Sequence, residues 1–182
     1  TVAEFELQRT KIVSAITRLN ADVLGLMEIE NNGYGDNSAI ANLVAALNAA
    51  QPDEADHYAW VASPDGQPIG TDAITVGLIY RPASVTPEGA ASLIELPVQQ
   101  AEAQDASGKP VAIKQGMRES LLQRFSSPKG DAPLTLVVNH LKSKGSACYE
   151  NGDGKTEPAD LQGKCTEFRV SAAKVLGEAV SK

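Results

Sequence analysis

Four ionisable residues stand out by type and by position: Glu28, Asp72, Arg118 and His140. Each lies at one end of an apolar run. Side chains alternate along a strand, so three rows are expected to share faces: Leu24-Leu26-Glu28, Asp72-Ile74-Val76-Leu78 and Leu134-Leu136-Val138-His140. A charge beside an apolar core is costly unless it is paired or holds a metal ion. Three apolar rows that each end in such a group predict one shared site. The chemistry suits a phosphodiester. Glu28 is a hard oxygen ligand for Mg²⁺, with Mn²⁺ or Ca²⁺ as alternatives. Such an ion polarises a phosphoryl oxygen and shields its charge from a nucleophile. His140 can take a proton from attacking water, histidine being the side chain suited to general-base work. Asp72 can hold the imidazole in one tautomer, and Arg118 offers a forked donor set for phosphate oxygens. Asn139, Lys142 and Lys144 flank His140 and are candidate substrate contacts.

Each of these residues also has a plainer reading. His140 reads equally as a hydrogen-bonded core histidine, Asp72 as a turn residue, and Lys142 and Lys144 as solvated lysines. Glu30, two residues beyond Glu28, is a rival ligand; the shared register with Leu24 and Leu26 favours Glu28. Arg124 shares a strand with Arg118 and reads as a surface cation. Asn151-Gly152-Asp153-Gly154 has the opening of a calcium loop without its downstream ligands, and reads as a turn.

The elements that must carry these residues follow from periodicity. Residues 3–19 place Phe5, Ile12, Val13, Ile16 and Leu19 at near-helical spacing, ending near Asn20. Residues 22–29 read as a buried strand and 31–37 as an Asn/Gly loop. Ser38 caps a second helix through Ile40, Leu43, Val44 and Leu47. Strands are expected at 58–62 and 72–80, and weak ones near 92–96 and 110–114. Strands 118–126 and 134–140 form a hairpin across Ser127-Pro128-Lys129-Gly130-Asp131, which brings Arg118 to the same end as His140. Phe168, Val170, Val175, Leu176 and Val180 predict a closing helix. Helix, strand and helix followed by a run of strands predict an α/β (α+β) fold of two packed sheets with helices outside.

Bulk composition narrows the class. The chain has 182 residues, enough for one domain, with 42% hydrophobic and 21% charged residues, which excludes a disordered polymer. No apolar run approaches the roughly 20 residues of a membrane span. The net charge of −7 and a pI near 4.8 argue against a tight, non-catalytic nucleic-acid binder, which shows a basic face. An enzyme on a polyanion needs only a local positive cleft. Cys148 and Cys165 flank a polar, Gly-rich stretch. A disulfide there would contribute roughly 3 kcal/mol by loop closure and would imply an oxidising compartment; two thiols in a reducing one is the alternative. The opening residues look like the start of a helix, so the chain is expected to be trimmed from a longer one.

These residues resemble a known family. Met27-Glu28 at the end of Asp22-Val23-Leu24-Gly25-Leu26 resembles the strand-end Gln-Glu signature of the endonuclease/exonuclease/phosphatase superfamily, which includes deoxyribonuclease I. Val137-Val138-Asn139-His140 resembles its catalytic-histidine strand. Met27 to Gly33, Gly70 to Tyr80 and Val138 to Ser146 are similar to the secreted bacterial extracellular deoxyribonucleases. The similarity runs from about residue 3 to the end. It implies two packed mixed β-sheets flanked by helices, and metal-dependent hydrolysis of nucleic acid, DNA above all. By position it implies Glu28 as metal ligand, His140 as general base or acid, Asp72 as its orienting carboxylate and Arg118 as a phosphate contact, with Asp72 subject to an offset of two residues. A monomeric, secreted or periplasmic protein without membrane attachment is implied as well. The family's Asn on a strand before the opening helix, its Gly-Asp-Phe-Asn motif and its terminal Ser-Asp-His do not occur in these 182 residues. The resemblance therefore implies a single partial domain that hydrolyses little by itself. Two rivals are a phosphomonoesterase or phospholipase of the same superfamily, and a non-catalytic DNA-binding or adhesion module.

Overall fold

The computed structural model describes residues 1–96, 117–145 and 163–181. The expected strand near 110–114, the turn at 151–154 and Cys148 lie outside the described residues. The chain divides into two compact units. The first comprises Thr1–Leu93 with Ser120–Asn139, the second Ile94–Glu119 with His140–Lys182.

The first unit begins with α1 (Val2–Leu19). Its N-terminus is a capping box: the Thr1 hydroxyl accepts from the Glu4 amide at 3.3 Å, and the Glu4 carboxylate accepts from the Thr1 ammonium at 2.5 Å. Asn20 ends the helix in the left-handed region, at φ 52°. In α2 (Ala39–Ala49), the Ser38 hydroxyl accepts from the Ala41 amide at 3.3 Å as the N-cap. Ile40, Val44 and Leu47 are buried along one face at helical spacing.

Two antiparallel sheets follow. The first has the order β1 (Val23–Glu30), β3 (Ile74–Tyr80), β2 (Ala59–Trp60). The second contains β4 (Thr86–Pro87), β5 (Ser92–Ile94), β6 (Ser120–Ser126) and β7 (Leu134–Val138), with β4 and β7 both paired to β6. The described registers are all antiparallel, so the expectation of mixed sheets is corrected. The β6–β7 hairpin forms as expected; its connection contains a turn in which the Gly130 amide donates to the Ser127 carbonyl at 3.1 Å.

Two apolar layers sandwich the first sheet. Val76 and Leu78 of β3 pack with Leu121, Phe125 and Val138 of the second sheet. Ile79, on the opposite face of β3, packs with Ile16, Ile40, Val44 and Leu47 of the helices. The layers in this unit are therefore helices, sheet and sheet. At Gly25 of β1 the sheets approach closely: a Cβ there would stand 3.1 Å from Val138 Cγ2. Where β1 starts and β3 ends, a buried Arg81 lies 5.0 Å over the Tyr58 ring, 3.8 Å from Asp22 and 3.6 Å from Asp56.

Three strands are shorter than expected at the ends that carry ionisable residues. β3 starts at Ile74 rather than at Asp72, β6 at Ser120 rather than Arg118, and β7 stops at Val138 rather than His140. The ionisable residues sit just beyond the ladders, so strand alternation does not fix where they point.

In the second unit, α3 (Thr166–Val180) is the expected closing helix, with Cys165 as N-cap at φ 62°. Cys165 is buried and is not a free thiol. Among the described residues, no helix is long and apolar enough to cross a membrane.

Candidate active site

Glu28 stands on a β-bulge. Leu26 opposes Gly77 and Ile29 opposes Thr75, so Met27 and Glu28 together face the single residue Val76. Glu28 takes up the extra residue with φ 61°, a conformation rare for a side chain of its kind. The predicted row Leu24-Leu26-Glu28 is therefore wrong at its last member. Ile29 continues that row, because the bulge shifts alternation by one. Leu24, Leu26 and Ile29 all pack on the helix layer, and Ile29 and Leu26 both lie within 3.6 Å of where a Cβ on Gly77 would be. Glu28 is left exposed, as is Met27 at 59%. The apolar row of β1 faces the helices, whereas Val76, Leu78, Leu136 and Val138 face the space between the sheets. The three rows do not share a face.

Asp72 is half-buried in a bend ahead of β3, its carboxylate accepting from the Ala73 amide at 2.7 Å. Asn31 fixes that bend. Its side-chain amide donates to the carbonyls of Ile69 (2.8 Å) and Asp72 (2.9 Å), its side-chain oxygen accepts from the Ile69 amide (3.0 Å), and its own amide donates to the Ala73 carbonyl (2.9 Å). Glu28 and Asp72 thus share the end where β1 finishes and β3 begins, but Glu28 opposes Val76. Two residues of strand and then the bend separate that point from Asp72. Nearby, Asp65 accepts from the Ser63 hydroxyl at 3.1 Å and the Gln67 amide at 3.0 Å; the Gln67 amide, followed by the Ser63 hydroxyl, holds its carboxyl below the usual range. Burial pushes the Tyr34 phenol up, with Ser63 pulling the other way.

In the second unit, Arg118 and His140 are half-buried. Arg118 precedes β6 by two residues and His140 follows β7 by two. Asn139, the last residue of the first unit, donates from its side chain to the Val137 carbonyl at 3.1 Å. Lys142 and Lys144 follow on a short run that is tied to the start of α3. The Lys164 amide donates to the Lys144 carbonyl at 3.1 Å, and Arg169 donates to the carbonyls of Lys142 (3.4 Å) and Lys164 (2.6 Å). Arg124, by contrast, is exposed and paired with Glu88 at 2.6 Å, the surface cation expected of it.

Among the described residues there is no group of three His, Cys, Asp or Glu poised to hold a metal ion. A single exposed carboxylate such as Glu28 still fits Mg²⁺, which keeps several of its waters and takes one or two protein oxygens. Sequence reasoning missed three residues: Asn31, Gly163 and Arg169. The first stood inside an Asn/Gly run that reads as a turn, and its partners lie 38 and 41 residues away. No local pattern marks such pairings. No family model and no curated protein matches the sequence.

Proposed function

We propose that this chain belongs to a metal-dependent phosphodiesterase acting on nucleic acid, DNA in the first place, built on a deoxyribonuclease I-like sandwich. One observation carries the reading: a glutamate held at φ 61° on a bulge, at the end of the strand whose sequence resembles the superfamily's metal-ligand signature. Strained backbone and bulges gather at working sites, because a fold keeps such a cost only where something needs the side chain aimed there. In this reading Glu28 holds Mg²⁺, or Mn²⁺ or Ca²⁺ in its place. The bound ion would neutralise charge on a phosphoryl oxygen. His140 takes the proton from attacking water. By the resemblance Asp72 would be the carboxylate that orients the imidazole, and Arg118 would meet the phosphate with its forked donors. Asn139, Lys142 and Lys144 lie along the substrate's backbone. A secreted monomer with a Cys148–Cys165 disulfide belongs to the same proposal, and Cys165, not a free thiol, is consistent with that pairing.

The test is nicking of supercoiled plasmid by the full-length parent protein with Mg²⁺, Mn²⁺ or Ca²⁺; the 182 residues alone are expected to hydrolyse little. Cleavage is expected with metal and lost with chelator. Glu28→Gln and His140→Ala should each slow it by about 10²-fold or more. Plasmid left intact with all three ions would sink the proposal, and turnover of sphingomyelin or inositol phosphates instead would redirect it to another branch of the superfamily.

A further inference from the structure

We propose that Arg169 and Gly163 are positioning residues that hold Lys142 and Lys144 as a phosphate-contacting pair. The inference rests on reading the run after His140 as the side of the site that meets the substrate's phosphates. All four residues belong to the second unit.

A lysine on a loose loop is a poor phosphate contact. Its long side chain must be ordered on binding, and a solvated lysine gains little from one ion pair. The cost falls when the backbone beneath it is already fixed. Here it is fixed from two sides. Arg169 spreads its guanidinium over the Lys142 carbonyl, the Lys164 carbonyl and the Thr166 hydroxyl, the last at 3.1 Å. A planar fork can serve several acceptors at once; an ammonium on a flexible stem serves them poorly. Two residues on, the Lys164 amide grips the Lys144 carbonyl at 3.1 Å. Gly163 allows that approach. It sits at φ 81°, and a Cβ there would fall 2.8 Å from Lys144 Cβ and 3.0 Å from its Cγ. Only glycine lets the Lys144 stem lie against this turn.

The rest of the chain makes the fixing matter. With a net charge of −7, the protein as a whole repels a polyanion. Attraction must come from a local cluster of cations, and counterion release rewards those that reach phosphates together. Lys142, Lys144, Lys164 and Arg169 form such a cluster around the clasp.

The experiment follows binding of a short fluorescein-labelled DNA duplex to the full chain by anisotropy, in chelator, from low to physiological salt. Replacing both lysines (K142A/K144A) should lower the slope of log affinity against log salt by about two, one for each lysine. Arg169→Lys keeps the charge and Gly163→Ala removes none, yet each should lower the slope by about one. Gly177→Ala, where an added Cβ in α3 meets open space, should leave it unchanged. Far-UV circular dichroism identical to wild type shows that each variant is folded. Wild-type slopes in both Arg169→Lys and Gly163→Ala, or no duplex binding by the unaltered chain, would overturn the inference. No cleavage is read here, so the two ideas fail separately. A protein that binds as expected but never nicks plasmid loses only the nuclease reading. A nuclease whose Arg169→Lys and Gly163→Ala forms keep the full slope loses only the positioning role.

Discussion

At Glu28 the backbone and the chemistry oppose each other. A left-handed residue with a side chain costs about 1 kcal/mol relative to glycine. Glu28→Gly should therefore raise stability by about 1 kcal/mol, or about 2–4 °C in melting temperature, while abolishing metal-dependent nicking; a lower melting temperature would mean that the bulge depends on the carboxylate itself. Asn31 and Asn48 make a second residue-scale comparison. Asn31→Ala removes three side-chain hydrogen bonds to Ile69 and Asp72, and should cost about 2–3 kcal/mol. Asn48→Ala removes two to Tyr58, a similar loss at about 2 kcal/mol. Only the Asn31 variant should speed amide exchange at Ile69, the one Ile69–Ala73 amide its side chain binds, so equal exchange in both variants would count against a local latch. Residue types were the legible part of the site. Glu28, Asp72, Arg118 and His140 were picked out by charge beside an apolar run. Their orientations were not legible, because alternation presumes an unbroken ladder and the bulge adds one residue to it.

Element by element, what was local in origin was legible. The Thr1–Glu4 box and Ser38 mark helix starts within a few residues, and the spacing of Ile40, Val44 and Leu47 marks the buried face. Strand ends were overextended at Asp72, Arg118 and His140, since a polar residue that ends a ladder looks the same in sequence as one that belongs to it. β4 went unread because its two residues gain their order from β6 rather than from any pattern of their own. The packing of the sheets yields a prediction of the same scale. Gly25→Ala should cost about 1–3 kcal/mol by pressing on Val138. Val138→Ala in the same chain should recover part of it, a coupling that chemical denaturation of the single and double variants measures. Strictly additive losses would mean that the sheets separate freely at this point.

Three tyrosines contribute to the molecule's response to alkali. Burial pushes the phenols of Tyr34, Tyr58 and Tyr80 up, against the pull of Ser63 at Tyr34 and of Arg81 at Tyr58. A group whose folded value is raised contributes stability that is whole below its ordinary value of 10.0 and is lost as pH climbs through the folded one. Urea midpoints should hold steady to about pH 10 and fall beyond it, and Tyr34→Phe should flatten that fall; an unchanged slope in the variant would exclude Tyr34 as a contributor. On the acid side the sign reverses. Glu4 and Asp65 are held below their ordinary 4.5 and 3.8, so their small exposed contributions vanish as pH drops through the folded values. The bulge has one more consequence at this scale. Among the described residues β1 is an outer strand, paired only with β3, and its eight residues include neither proline nor lysine. A straight, unpaired border of that length is a template for chain-to-chain stacking into aggregates. The extra residue at Met27 and Glu28 breaks and twists that border partway along. The distortion that turns a carboxylate outward would thus also make this strand a poorer template for chain-to-chain stacking.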